Sequence, residues 1–180
     1  MKFRCSFVFT LLIAISLLSV SQAQQNQTTS KPVFNIIKID KQIEINGKMD
    51  NPIWLLADPI EINYEINPGD NTPAKERTIV RALYDEENLY FGYKCYDSHP
   101  EEIRANLSER DGIFSDDYVI IILDTYGDAQ KGYEIACNPF GIQGDLLATL
   151  NNEDINFNMT WNAAASINDS GWTAEMAIPF

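Results

Sequence analysis

The sequence reads as an all-β protein: an antiparallel, jelly-roll-like β-sandwich that stops short of its last strands. Short runs alternate apolar and polar residues, the period of a half-buried strand. Turn residues separate the runs, as at Asn46-Gly47, Pro68-Gly69-Asp70-Asn71 and Asn168-Asp169-Ser170-Gly171. Only two stretches suit a helix, the turn at Trp54 and residues 100–107. Many short strands with turns between them point to a sandwich or a barrel. The chain has 180 residues, 45% apolar and 11% aromatic, enough for one core.

The elements follow in chain order. Residues 35–39 and 42–45 are short β-rich runs, and Asn46-Gly47 turns the chain after them. Asp50 or Asn51 can cap a short helical turn that begins at Pro52 and carries Trp54. Residues 60–64 alternate. Residues 78–84 and 89–96 form two strands of a hairpin around the polar turn 85–88, with Leu89, Phe91, Tyr93 and Cys95 on one face. Residues 118–123 are continuously apolar and rich in Ile and Val, which predicts a central strand covered on both faces. Residues 133–137 and 145–150 are further strands. Trp161, Ala163, Ala165 and Ile167 share one face of the next, and Trp172, Ala174, Met176 and Ile178 share one face of the last. The chain then stops at Pro179-Phe180 with no closing element, so the sandwich is expected to be truncated there and to expose an edge.

The net charge is -13. So acidic a chain is a poor partner for nucleic-acid phosphates or anionic lipid. A single histidine and three cysteines exclude a multi-histidine zinc site.

Residues 1–23 carry the three parts of a secretory signal peptide: a basic start, an apolar run over 6–20, and small residues before a cleavage point after Ala23. The mature protein is therefore expected outside the cytoplasm: secreted, periplasmic or outer-membrane associated, with no membrane span of its own. Residues 24–33 read as a flexible polar leader, and residues 34–180 as the folded part. Export leaves Cys95 and Cys137 in an oxidising compartment. Both face the core, as a disulfide or as two small buried thiols.

Five segments in order carry a family resemblance. They are 45–54 (Ile-Asn-Gly-Lys-Met-Asp-Asn-Pro-Ile-Trp), 83–92 (Leu-Tyr-Asp-Glu-Glu-Asn-Leu-Tyr-Phe-Gly), Asp116-Asp117-Tyr118-Val119 with Leu123-Asp124-Thr125, 138–145 (Asn-Pro-Phe-Gly-Ile-Gln-Gly-Asp), and 171–180 (Gly-Trp-Thr-Ala-Glu-Met-Ala-Ile-Pro-Phe). Together they resemble the family 9 carbohydrate-binding module. The form they are most similar to is the amino-terminal module of large secreted or outer-membrane proteins of Bacteroidetes type, where the family pattern continues past the point matching Phe180. The resemblance implies a non-catalytic β-sandwich that binds a polysaccharide or oligosaccharide, with calcium in some members, serving polysaccharide catabolism within a longer polypeptide. Two other roles stay open: a docking or plug module of an outer-membrane protein, and a module of an O-glycosyl hydrolase.

Sugar binding needs flat apolar platforms and planar polar side chains that bridge hydroxyls. Trp172 alternates with core residues, and Trp54 is expected to plug one end of the sandwich. Trp161, after the polar loop 151–160, is the expected exposed platform. Tyr64, Tyr126 and Tyr133 are weaker options. Arg110, Asn138, Gln143 and Asp145, with Asp111 beside Arg110, flank apolar runs and are expected to line a polar pocket at a rim. Turn-forming hydrogen bonds, above all at Asn138-Pro139, are the competing reading. Asp111, Asp116, Asp117, Asp124 and Asp128 place five carboxylates within eighteen residues, an oxygen-rich set that suits calcium or a solvated acidic loop. No catalytic set stands out. With 26 acidic residues some carboxylate pair always looks suitable for glycoside hydrolysis, and His99 sits in an exposed loop.

Overall fold

The computed structural model describes residues 33–180. The expected signal peptide and all of the leader but Val33 lie outside the described residues. Two sheets make up the body. The larger contains β1 (Ile37–Lys38), β2 (Ile60–Glu65), β3 (Thr72–Tyr84), β4 (Asn88–Tyr96), β9 (Asn162–Asn168) and β10 (Gly171–Pro179). Its order is β1-β3-β4-β10-β9, with β2 also paired to β3. The smaller sheet runs β5 (Val119–Leu123), β6 (Lys131–Cys137), β7 (Gln143–Thr149) and β8 (Asn152–Asp154). All pairings are antiparallel except β1 with β3, which is parallel.

The period-2 alternation places the core. Phe91, Tyr93, Cys95, Trp172, Ala174, Met176 and Ile178 point inward from the large sheet and meet Val119, Ile135 and Cys137 of the small one. Tyr93 ties the layers by donating its hydroxyl to the Ile120 carbonyl at 3.2 Å. Burial pushes its phenol up, as it pushes the Cys95 and Cys137 thiols up to about 12. Both thiols are free and protonated at neutral pH, so they pack as small apolar groups and no bridge joins them.

The outer face of the large sheet is also covered. Ile39, Ile43, Trp54 and Ala57 lie over Leu83, Tyr90 and Ala177. Trp54 therefore caps a sheet face rather than plugging an end. It rides on a 3-10 turn, Pro52–Leu56, whose N-cap is Asn51: the Ile53 N–H donates to Asn51 Oδ1 at 3.1 Å. Arg81 holds the turn's far end by donating to the Ala57 carbonyl. Glu175 points to the same face from the middle of β10 and is fully buried. It accepts from Asn46 N (2.8 Å), Gly47 N (2.7 Å) and Trp54 Nε1 (2.8 Å). Gly47 has φ +81°, and a Cβ there would lie 2.6 Å from the Ala165 backbone, so the turn tolerates only glycine.

Three expectations are corrected. The apolar strand β5 is an edge, not a central strand: a continuous Ile/Val run records apolar surroundings but not which neighbours pair, and Ile122 is 57% exposed. Residues 42–45 form no strand; Ile43 is buried by lying across a sheet face rather than by joining its ladder. The second helical stretch shrinks to one 3-10 turn at Pro100–Glu102, because 103–118 are drawn into bonds with Asn138, just after β6, and with Asp145 of β7.

The Asp85 carboxylate shows how turns are held. It accepts from Glu87 N, Asn88 N and the Tyr90 hydroxyl, each at 2.7–2.8 Å. Burial pushes its pKa up, but these donors outweigh burial and hold it below the usual value. Asp116 is held low by the Asn138 amide and by Asn106, and Asp124 by the Ala129 N–H and its neighbours. A depressed folded-state pKa means the unfolded chain takes up protons first on acidification. Stability from these three groups is present above about pH 4, the unfolded value, and drains away as pH falls through their folded values. Urea midpoints measured from pH 7 to pH 2 should be flat at first and then fall below about pH 4. Asp85→Asn should make that fall shallower.

Candidate functional site

The rim residues expected to form one pocket divide into two closed networks. Arg110 donates to the side chains of Gln143 and Asp145 and to the Met159 carbonyl (2.7 Å). Asp145 also accepts from Met159 N (2.7 Å) and Trp161 Nε1 (3.5 Å), while its own N–H donates to Asp111 Oδ1 (2.9 Å). Gln143 Nε2 closes the set on the Trp161 carbonyl at 2.8 Å. The network clamps the 104–118 loop and the 155–161 loop to β7. The Asp145 side chain has no exposed surface and that of Arg110 is 33% exposed, so the polar groups face one another instead of an open pocket.

Trp161 belongs to this clamp. It is 3% exposed, packs in the inter-sheet core, and has the Arg110 guanidinium 6.0 Å from its ring centroid. The expected exposed platform is thus corrected. Its inward face and its bond to a buried carboxylate decide its placement, and neither shows in the polar loop that precedes it.

Asn138 joins the second network. Its Oδ1 accepts from Phe140 N and Ile142 N, and its Nδ2 donates to the Asn106 carbonyl and to Asp116 Oδ2. This is the turn-forming reading of Asn138-Pro139. Asp116 is also held by Asn106 N and Nδ2, and Asp117 accepts from Arg104 N and its guanidinium. Asp124 accepts from the 126, 127 and 129 N–H groups, and Asp128 from Gln130 N. The acidic residues thus serve separate backbone segments. Among the described residues no three His, Cys, Asp or Glu side chains converge as a metal-binding set. Asp111, Asp116, Asp117 and Asp124 do not fit a shared calcium site.

An open site does exist along the unpaired β5 edge, where the two layers part. A cleft of about 510 Å³ lies between Ile62, Glu76 and Thr78 of the large sheet and Tyr118, Val119 and Ile120 of the small one. Trp172 and Cys95 lie at its base; Asp97, Asp116 and Asp117 line its polar side. Tyr118 is 40% exposed, with Phe114 edge-on to it at 5.5 Å between centroids. Tyr96 also lines the cleft, its ring flanked by Lys94 (5.4 Å) and Arg77 (5.7 Å). Glu76 accepts from the Ser98 hydroxyl and Asp97 from His99 N, so each keeps a carboxylate oxygen for another donor. Of the residues weighed in the sequence as sugar platforms, rim groups or metal ligands, Asp116, Asp117 and Trp172 line this cleft. Tyr118 belongs to the segment 116–119 quoted above but drew no role of its own, and Glu76, Tyr96 and Asp97 carry no motif; only the sheet pairing brings the four together.

The arrangement of two sheets has known relatives. The family model for carbohydrate family 9 binding domain-like proteins matches residues 45–180. The chain belongs to that family. Among solved structures, the family 9 domain resembles a candidate carbohydrate-binding protein from Bacteroides uniformis, with TM-score 0.60, 16% identity, and coverage of 80% of this chain and 71% of that one. It also resembles a family 9 carbohydrate-binding module from Caldicellulosiruptor kristjanssonii. In that module's complex with cellotriose the TM-score is 0.52 at 16% identity, covering 81% of this chain and 67% of that one. In its complex with glucose the TM-score is 0.53 at 15% identity, covering 81% and 68%. At such identities the structural likeness speaks for the fold alone. Among curated proteins none matches the chain. The family is one of binding modules, and the family 9 domain shares its β-sandwich.

Proposed function

We propose that the family 9 domain is a non-catalytic glycan-binding module that holds its ligand in the cleft along β5. The observation that carries this reading is the pairing, in one open groove, of a half-exposed tyrosine with carboxylates that retain free oxygens. Tyr118 offers an apolar face for a pyranose ring, and Glu76 and Asp97 accept from ring hydroxyls. The lining includes no lysine or arginine, which favours an uncharged glycan. Membership of a carbohydrate-binding family supports the same ligand class. In this reading residues 1–23 export the protein, the module is one part of a longer polypeptide, and it serves polysaccharide breakdown by holding substrate near enzymes that cleave it.

Isothermal titration with cellotriose and affinity electrophoresis through soluble β-glucans test the reading. Tyr118→Ala should weaken binding about tenfold, a loss of about 1.4 kcal/mol, with an unchanged unfolding midpoint. Asp97→Ala should weaken it similarly. Binding that ignores both substitutions, or retention by no glycan at all, would overturn the assignment of the cleft. Sugar release from polysaccharides by the purified domain should be nil.

A further inference from the structure

A second hollow, also about 510 Å³, opens on the outer face of the large sheet, the face covered in part by the N-terminal segment. We propose that it is a separate binding site for one neutral sugar unit or a comparable polyol. Its floor follows from strand register. Tyr90, Ala177 and Asn162 are cross-strand partners in a row across β4, β10 and β9. Ala177 is the small member of the row, so a depression lies between the tyrosine and the asparagine.

The walls are held rigid by the two buried carboxylates of this face. Glu175 fixes the Asn46-Gly47 turn, and with it the segment bearing Gln42 and Ile45. Asp85 fixes the turn that presents Glu87 and Asn88. A site whose loops are already ordered loses little entropy on binding. The rim carries three carboxamides, Gln42, Asn88 and Asn162. Gln42 Nε2 donates to Glu87 (2.7 Å) and Asn88 Nδ2 to the Tyr90 hydroxyl (3.3 Å). Each bond uses the donor end of its amide, so the acceptor ends remain for ligand hydroxyls, and Asn162 adds a donor and an acceptor. No cation lines the hollow, and Glu87 repels anions. The volume falls in the range of about 300–1,000 Å³ usual for small-molecule sites.

The proposal does not depend on the cleft. An amide-resolved NMR titration of the domain with glucose, galactose, mannose and cellotriose reads both sites at once. The backbone amides of Asn162, Ala177 and Glu87 should shift saturably with at least one probe. A Gln42→Ala/Asn162→Ala variant, whose fold the same spectrum verifies, should lose those shifts while responses around Tyr118 persist. If these three amides stay unmoved by all four sugars, or move equally in the variant, the second site is overturned, whatever the cleft does. If they alone respond, the second site stands and the cleft assignment falls.

Discussion

Arg110→Ala is expected to cost the domain about 3–5 kcal/mol, the range for removing one partner of a buried ion pair. The cost arises because the Asp145 side chain has no exposed surface and loses its only ion-pair partner there. Met159 N at 2.7 Å and Trp161 Nε1 at 3.5 Å remain, but both are neutral donors. Gln143 and the Met159 carbonyl lose their guanidinium donors at the same time. Arg110→Lys should recover only part of the loss, since an ammonium cannot reproduce a planar fork that reaches three acceptors. Replacing the pair together, as Arg110→Met with Asp145→Leu, removes the orphaned charge and should cost far less than Arg110→Ala. Urea denaturation at pH 7 measures all three. A loss under about 1 kcal/mol for Arg110→Ala would mean that the network does not bind the loops to β7.

Glu175→Ala is expected to be comparably severe. It strands the Asn46 and Gly47 N–H groups and the Trp54 indole N–H beneath the N-terminal segment. An orphaned buried donor costs about 1–3 kcal/mol, and two of these, Gly47 N and Trp54 Nε1, are buried, so the loss is about 3 kcal/mol. In a domain of this size that lowers the melting temperature by roughly 6–12 °C. Glu175→Gln should fall between, because its amide nitrogen cannot accept. The chain has three tryptophans, so the NMR resonance of the Trp54 indole N–H, which donates to Glu175, gives the local readout. If Glu175→Ala melts normally with an unchanged Trp54 signal, the segment over the outer face is held by apolar contact alone.

These two residues show where sequence reading stops. The alternation of Trp172, Ala174, Met176 and Ile178 identified the inward face of β10, and that assignment is correct. By the same period Glu175 points outward and would be taken as solvated. It is buried only because a segment more than a hundred residues earlier lies over it. Arg110, Gln143 and Asp145 were recognisable as polar groups beside apolar runs, and they do meet. Whether such a cluster is open or closed depends on which loops lie across it, and here Met159 and Trp161 seal it.

Local chemistry alone determined the all-β class, the turns at Asn46-Gly47 and Asn168–Gly171, a helical turn capped by Asp50 or Asn51, and the inward faces of β4 and β10. Each depends on residues a few positions apart, and a period or a turn preference acts at that range. The family resemblance was legible too, carried by the order of five short segments. Only the tertiary structure decided that β5 is an edge, that Trp161 is interior, that the aspartates disperse to separate backbone partners, and that Tyr118 meets Asp97 across a cleft. Those outcomes depend on which strands pair and which loops cover them, and long-range pairing leaves no periodic trace in the chain.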